Sequence, residues 1–264
     1  MISWGWRGQI CWCGKHVFRN ISGQKTLSLH SLWRCCHQRT SGSCLDPEIR
    51  RFLEENTEIT NSGNLTPEIR LRLLTPHCRF WKEKAALWPY KDPYWAIYWP
   101  GGQGLSRYLL DNPSIVQTKK VLDLGSGCGA TAIAAALSGA AEVVANDIDP
   151  IAGAALTLNC ELNNLDPFAF LTDNLIGSDL GSWDVIVLGD MFYSEELANG
   201  LHRWLKKHIC THGTQVLIGD PGRHHFVSHQ IQSQLHKVTE YPLPELDQQE
   251  NNGSTNTVIW NYQP

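Results

Sequence analysis

The sequence predicts an α/β fold built on a mostly parallel sheet, and three observations lead to that prediction. Short apolar segments alternate with helical segments through the second half of the chain, which is typical of a parallel sheet covered on both faces. A glycine-rich turn directly follows the first of these strands. Only a polar loop separates the last two predicted strands, so we expect that pair to be antiparallel. The predicted domain is therefore five parallel strands followed by an antiparallel hairpin.

Ahead of the sheet, residues 45–102 are predicted to form an N-terminal extension that packs on a core formed by residues 103–264. An acidic residue before a proline is a typical helix start, and alternating apolar and basic residues indicate a half-buried strand. The elements expected here are a helix from Asp46-Pro47, a strand at 69–73, an aromatic and turn-rich stretch at 88–102, and a helix through Leu105, Leu109 and Leu110.

Within the core, the predicted parallel strands are mainly apolar segments, and helical segments alternate with them. The predicted parallel strands lie at 121–124, 142–148, 168–172, 184–189 and 215–219, and the hairpin strands at 236–241 and 257–262. The helices between them are predicted at 131–138, at 150–163, and through Leu197, Leu201 and Leu205.

The first 44 residues differ in charge from the rest of the chain. They contain six lysine and arginine residues and no aspartate or glutamate, and serines are spread among them. A basic, serine-containing and acid-poor leader is typical of an organelle transit peptide. We therefore predict that residues 1–44 are a targeting leader, with a disordered cytosolic tail as the alternative.

Composition excludes several classes of function. The chain has 264 residues, of which 42% are hydrophobic, so it can bury a sizeable core. Residues 45–264 carry 16 basic and 26 acidic side chains, which argues against nonspecific binding of nucleic acid. The longest uncharged stretch, 124–141, contains four glycines, so no membrane insertion is expected. His224 and His225 have no carboxylate or thiolate at ligand spacing, so no metal site is predicted.

The strongest functional signal is Asp123-Leu124-Gly125-Ser126-Gly127-Cys128-Gly129, placed between a predicted strand and a predicted helix. Glycines at such a turn let the backbone bend sharply and let a ligand approach the main chain. Asp147 ends the next predicted strand, where a carboxylate can accept hydrogen bonds from ribose hydroxyls. These features predict a nucleotide-type ligand, and a tight turn with a helix cap is the purely structural alternative.

Two ligand classes fit this loop. With Ala130 in third place it satisfies the dinucleotide fingerprint of NAD-dependent oxidoreductases. Asp123 argues for the other class, because its carboxylate would repel a pyrophosphate but suits a cationic methionine moiety with a free amino group. At this motif the chain resembles the seven-strand S-adenosylmethionine-dependent methyltransferases, whose first motif is acid-x-Gly-x-Gly-x-Gly and whose sheet ends in an antiparallel hairpin. The resemblance implies a seven-stranded class I methyltransferase (Rossmann-like) fold that binds S-adenosyl-L-methionine and releases S-adenosyl-L-homocysteine.

Further motifs narrow the resemblance to the nonhistone protein-lysine methyltransferases. They are Trp99-Pro100, Asn146-Asp147, and the Asp-x-x-Tyr signature formed by Asp190 and Tyr193 after the fourth strand. The resemblance covers residues 45–264 and implies a mitochondrial matrix enzyme that trimethylates lysines of the electron transfer flavoprotein beta subunit. Mitochondrial chaperones are a further expected class of partner. An NAD-dependent oxidoreductase and a non-catalytic binding module remain as alternatives.

The same resemblance assigns the residues of the site. Those expected to bind the cofactor are Trp99, Asp123, Gly125, Gly127, Gly129, Asp147, Asp173, Asn174 and Asp190. Asp190 and Tyr193 are the expected catalytic residues. Asp190 would hold the arriving lysine, and aromatic residues among Trp95, Tyr98 and Tyr193 would line the lysine channel. The alternatives are a cap on the following helix for Asp190 and loop polarity for Asp173 and Asn174.

Overall fold

A seven-stranded sheet is the central element of the computed structural model, which describes residues 45–82, 88–90, 92–179, 181–244 and 254–264. The strands of the described residues are β1 (Glu58–Thr60), β2 (Leu71–Leu73), β3 (Lys120–Leu124), β4 (Glu142–Asn146), β5 (Ala169–Leu171), β6 (Val185–Gly189), β7 (Gln215–Asp220), β8 (Leu235–Pro242) and β9 (Asn256–Tyr262). Strands β1 and β2 form a separate two-stranded sheet, and the other seven form the central sheet. The helices are α1 (Pro47–Asn56), α2 (Arg79–Lys82), α3 (Pro100–Asp111), α4 (Ala130–Leu137), α5 (Pro150–Leu162), α6 (Glu195–His212) and α7 (His224–Val227).

The strand order in the sheet is β5-β4-β3-β6-β7-β9-β8. The first five strands pair in parallel, whereas β9 pairs antiparallel with both β7 and β8. The predicted class of fold and the antiparallel ending are therefore confirmed. The expected targeting leader, residues 1–44, lies outside the described residues, and both the leader and the proposed domain boundaries stay predictions.

The strand register brings the carboxyl ends of the parallel strands to one edge. Asp123 on β3 lies beside Ala145 on β4 and Val187 on β6, and Gly189 on β6 lies beside Gly219 on β7. Ligands of such sheets bind at this edge, where the strand order reverses between β3 and β6.

Helix α3 crosses the sheet at a very short separation, which glycine makes possible. A Cβ atom on Gly101 would overlap the Gly219 carbonyl oxygen, and one on Gly189 would lie 2.6 Å from the Gly102 amide nitrogen. The sequence predicts that this helix follows Gly101 and Gly102, but it begins at Pro100 and includes both glycines. Proline at the first helical position fixes φ there, and the close contact with the sheet excludes larger residues.

The N-terminal extension packs against α5. Its helix begins as predicted, because the Asp46 side chain accepts a hydrogen bond from the Glu48 amide at 2.8 Å. Leu53 of α1 is buried with Trp88 and Trp95 against apolar residues of α5. The strand expected at 69–73 is shorter than predicted and pairs with β1, which the sequence pattern did not indicate.

After β7, His224 and His225 open the short helix α7. Phe226 of this helix is buried against Phe192, and the ring centroids lie 5.0 Å apart. Among the residues that the structure describes, no three His, Cys, Asp or Glu side chains converge in a way that would hold a metal. Within the same residues no helix has both the length and the apolar character of a membrane span.

Candidate functional site

A crevice opens at the carboxyl edge of the sheet, between the start of α3 and the glycine loop after β3. It brings together five of the residues predicted to bind the cofactor: Trp99, Asp123, Gly125, Gly127 and Asp190. The other lining residues are Ile97, Tyr98, Gly102, Ser126, Cys128, Ala130, Thr131 and Gly189.

The glycine loop has a conformation that few other residues adopt. Gly125, Gly127 and Gly129 have φ values of 70°, 51° and 81°, which lie in the left-handed region. The amides of Gly125 and Ser126 donate to the Asn146 carbonyl at 2.8 and 2.9 Å, so the loop is anchored to the end of β4. Gly129 is the N-cap residue of α4, not part of the crevice lining.

Asp123 is a buried carboxyl group whose position is fixed by the helix that follows it. Its Oδ2 accepts a hydrogen bond from the Ala132 amide of α4 at 2.9 Å, while Oδ1 receives none from the residues that the structure describes. Burial raises the pKa of Asp123 to about 7, and the nearby Asp147 carboxylate adds to that rise. A cation bound in the crevice would therefore stabilise the ionised form of this carboxyl group.

Asp147 links the glycine loop to the start of α5. Its Oδ2 accepts from the Gly127 amide at 3.0 Å, and its Oδ1 accepts from the Asp149 amide at 3.0 Å. Burial raises its pKa. The side chain thus lies at the loop, as expected, although it does not line the crevice.

Asp190 has a tertiary role that the sequence did not indicate. Its Oδ2 accepts from the amides of Gly101 and Gly102, at 2.6 and 3.2 Å. Its Oδ1 accepts from Nε and Nη2 of Arg223, at 3.1 and 2.7 Å. The alternative role, a cap on the following helix, is wrong: Asp190 accepts from amides in the first turn of α3, and Ser194 caps α6.

These four donors fill the acceptor positions of the Asp190 carboxylate. Burial raises its pKa, and the Arg223 guanidinium opposes that rise. An arriving lysine could contact this carboxylate only by displacing a donor, so a direct contact with substrate stays a prediction.

The aromatic residues near the site lie in three environments: the crevice lining, exposed positions beside it and the protein core. Trp99 lines the crevice and donates from Nε1 to the Tyr94 carbonyl at 2.9 Å. Tyr193 is half exposed, and burial of the rest of its ring raises the pKa of its hydroxyl, with further contributions from Asp147 and Tyr94. Tyr94 is also exposed. The Tyr94 carbonyl accepts the hydrogen bond of the crevice residue Trp99, and Tyr94 interacts electrostatically with Tyr193, so we call these two exposed tyrosines the tyrosine rim.

Two of the three residues expected in a lysine channel do not present their rings to solvent. Trp95 is buried against Trp88, with ring centroids 6.1 Å apart, so it belongs to the core of the extension. The Tyr98 hydroxyl is hydrogen-bonded to Thr66 Oγ1 at 3.0 Å in a buried position. Trp95 is therefore corrected to a core residue, whereas Tyr98, which is only 6% exposed, lines the crevice.

Asp173 and Asn174 follow β5 at the same edge but do not line the crevice. Both are exposed. The Asp173 carbonyl accepts from Asn146 Nδ2 at 2.9 Å, and Asn174 Oδ1 accepts from the Ile176 amide at 3.0 Å in a local turn. Their expected contact with an adenine ring therefore stays a prediction.

Sequence reasoning missed two side chains of the site. Ser126 lines the crevice, and its hydroxyl oxygen is buried without a hydrogen-bond partner among the described residues. Arg223 pairs with Asp190, and its guanidinium lies 5.3 Å from the centroid of the Trp99 ring. Its place after a parallel strand was the available signal, since the loops after such strands gather at the ligand edge.

The crevice fits the methionine end of S-adenosylmethionine. A backbone cradle without Cβ atoms, a buried carboxyl group with an open Oδ1 and an unpartnered serine hydroxyl match a ligand that carries a free amino group and a positive sulfur. Asp123 would hold the amino group, and Asp147 would accept from ribose hydroxyls if the ligand extends along the loop.

The chain is similar to several known proteins. Residues 105–193 match the model of the ribosomal protein L11 methyltransferase (PrmA) family. The chain is 66% identical over 226 residues to the electron transfer flavoprotein beta subunit lysine methyltransferase of Mus musculus, covering 86% of this chain and 89% of that protein. It is 59% identical to the Homo sapiens protein of the same name, covering 100% and 99% of the two chains. A ribosomal protein L11 methylase structure from Lactobacillus delbrueckii subsp. bulgaricus matches at 21% identity and a TM-score of 0.46, over 61% of this chain and 77% of that one.

Proposed function

Because the chain belongs to the family of electron transfer flavoprotein beta subunit lysine methyltransferases, we propose that it methylates lysines of that flavoprotein subunit. S-adenosyl-L-methionine is the proposed methyl donor, and trimethyl-lysine is the proposed final product. Contacts with mitochondrial chaperones stay a prediction.

The observation that supports this cofactor best is the position of Asp123. In dinucleotide-binding folds the pyrophosphate binds at the N-terminus of the helix that follows the glycine loop. Here the Asp123 carboxylate already accepts from an amide of that helix, at Ala132. The other carboxylate of the crevice lining, Asp190, is paired with Arg223, so Asp123 carries the negative charge that a ligand meets. A pyrophosphate would be repelled there, whereas a cationic ligand is attracted.

The chemistry asks the protein to desolvate and align a lysine amine. A free lysine has a pKa of roughly 10.4, so at about pH 7 its reactive neutral form costs about 5 kcal/mol. When bound, S-adenosylmethionine supplies an electrophilic methyl group. The tyrosine rim can remove water from an entering ammonium, which favours the neutral amine. The rigid glycine loop and the α3 start hold the two sides of the crevice in fixed positions, as an aligned displacement requires.

The direct test uses purified protein, methyl-labelled S-adenosylmethionine and recombinant flavoprotein beta subunit, followed by mass spectrometry of the labelled peptides. We expect label on lysine, and absence of label on this substrate would contradict the proposed function. Calorimetric binding of S-adenosylhomocysteine and of NADH distinguishes the oxidoreductase alternative. Binding of S-adenosylhomocysteine without transfer to any protein of a mitochondrial extract would favour the binding module.

Asp123 makes cofactor binding depend on pH. Its pKa is about 7 in the free protein, and a bound ammonium lowers it, so binding below that pH must release a proton. We therefore expect the affinity for S-adenosylhomocysteine to rise about tenfold from about pH 6 to about pH 8, measured by calorimetry. Asp123→Asn should bind weakly and lose this dependence.

Asp220 provides the control, because burial raises its pKa to about 7 as well, with a further contribution from Asp190. If Asp123 is responsible, Asp220→Asn keeps the dependence on pH. A dependence that disappears in Asp220→Asn and persists in Asp123→Asn would contradict this prediction, because the released proton would then belong to Asp220.

We also propose that residues 1–44 direct the protein to the mitochondrial matrix. Their six basic residues and lack of acidic ones support this proposal, since a positive leader suits import toward a negative compartment. A fluorescent fusion of the full chain should accumulate in the matrix, and a fusion that begins at residue 45 should stay in the cytosol. Matrix accumulation of the shortened fusion would contradict the role of the leader.

A further inference from the structure

Arg223 connects three parts of the site that are distant in sequence. It follows β7 in the turn Asp220-Pro221-Gly222-Arg223, where Asp220 Oδ1 accepts from the amides of Gly222 and Arg223, both at 2.7 Å. Gly222 has a φ of 97°, in the region that favours glycine. The turn therefore fixes the backbone from which the Arg223 side chain extends back toward β6.

The first partner of Arg223 is Asp190. Two guanidinium nitrogens donate to the same oxygen, Oδ1, while Oδ2 of that carboxylate holds the amides of Gly101 and Gly102. The Asp190 side chain is only 6% exposed and that of Arg223 is 26% exposed. Charge-assisted hydrogen bonds between groups that are largely shielded from solvent are strong and directional. The pair thus links the loop after β7 to the first turn of α3.

The second partner is Trp99, the residue that precedes α3. The Arg223 guanidinium carbon lies 5.3 Å from the centroid of its ring, within the range of a cation–π contact. Trp99 and Asp190 both line the crevice, whereas Arg223 lies outside the lining. Arg223 is therefore placed to act on the ligand through these two residues.

We propose that Arg223 is a positioning residue for the methyl-donor site, and that it holds the Asp190 carboxylate and the Trp99 ring in the orientations that shape the crevice. Arginine suits this role because its planar group can donate from two nitrogens and present its face to an aromatic ring at the same time. Lysine supplies the charge but lacks that planar geometry. The inference rests on the proposed function for its cofactor, and its main readout needs no protein substrate.

The experiment compares Arg223→Met and Arg223→Lys with the wild-type chain. Arg203→Met is the matched control, since Arg203 is an exposed residue of α6 outside the crevice lining. The measurements are the dissociation constant for S-adenosylhomocysteine by calorimetry, the melting temperature, and kcat and KM for methyl transfer. We expect Arg223→Met to weaken binding by at least about tenfold and to raise the KM for S-adenosylmethionine more than that for the protein substrate.

Arg223→Lys separates positioning from simple charge balance. A lysine beside Asp190 should restore the melting temperature toward that of the wild type, but the affinity should stay weak. Affinity within about twofold of wild type in Arg223→Lys would overturn the proposal, because a counter-charge alone would then suffice. Wild-type affinity in Arg223→Met would overturn it as well.

These measurements distinguish a failure of the proposed function from a failure of the proposed role of Arg223. If the wild-type chain binds S-adenosylhomocysteine but does not methylate the flavoprotein subunit, the proposed substrate is wrong and the binding constants still decide the role of Arg223. If the wild-type chain does not bind S-adenosylhomocysteine, both the cofactor and this role are overturned.

Discussion

Asp190→Asn is expected to reduce methyl transfer by at least about 10²-fold and the free energy of unfolding by about 3 kcal/mol. Asparagine offers one oxygen and one NH₂ group, whereas all four partners of Asp190 are donors. Either the amides of Gly101 and Gly102 or the Arg223 guanidinium would then face a second donor. The neutral asparagine also leaves the Arg223 guanidinium without its counter-charge.

The backbone conformation is not the reason for this expected loss. Asp190 has a φ of 59°, and asparagine tolerates the left-handed region about as well as aspartate. The substitution thus isolates the hydrogen bonds of the side chain. The affinity for S-adenosylhomocysteine should also fall together with activity, because Gly102 and Asp190 both line the crevice.

Urea unfolding, calorimetry and labelled methyl transfer measure the three effects. Asp166→Asn is the matched control, because Asp166 is exposed at a distance from the crevice lining. Wild-type stability in Asp190→Asn would show that the four hydrogen bonds contribute little. Loss of activity with unchanged stability and cofactor affinity would instead support the direct contact with the substrate lysine.

Gly127→Leu is expected to weaken binding of S-adenosylhomocysteine by at least about 10²-fold while the protein still folds. Gly127 lines the crevice, and a Cβ atom there would meet nothing closer than Trp95 Cα at 3.7 Å. A side chain at this position can therefore begin without a clash but extends from the surface that a ligand must approach. The cost to the fold is the positive φ of 51°, about 1–2 kcal/mol.

The other two loop glycines are poorer probes. A Cβ atom on Gly125 would overlap Met191 Sδ, and one on Gly129 would overlap Leu156 Cδ1. Substitutions there combine a packing clash with any loss of binding, so their effects on the ligand and on the fold cannot be separated.

Gly213→Leu is the matched control for Gly127→Leu. Gly213 has a φ of 68° at the C-terminal end of α6, and a Cβ atom there would meet nothing within 4 Å. Gly213→Leu should lose a similar amount of stability, measured by circular dichroism melting. Its affinity for S-adenosylhomocysteine, measured by calorimetry, should equal that of the wild type. Unchanged affinity in Gly127→Leu would mean that the loop has a structural role only.

Local patterns of residues were enough to predict the class of fold and the position of the site along the chain. Apolar strands, the Asp46 helix cap and the glycine loop are local patterns, because each depends on residues that are close together in the chain. Asp123 is part of the same glycine-loop motif, and its hydrogen-bond partner Ala132 is only nine residues away. The loops after the parallel strands then meet at one edge of the sheet.

The choice of side chains that meet at that edge depends instead on long-range packing. Asp190 binds Gly101 across 89 residues and Arg223 across 33, and no local pattern encodes such a pairing. Trp95 and Trp99 are both aromatic residues of one short segment, yet packing on α5 buries the first and the second lines the crevice. Side-chain burial and the filling of acceptor positions depend on which elements pack together, so these roles are fixed by the assembled fold.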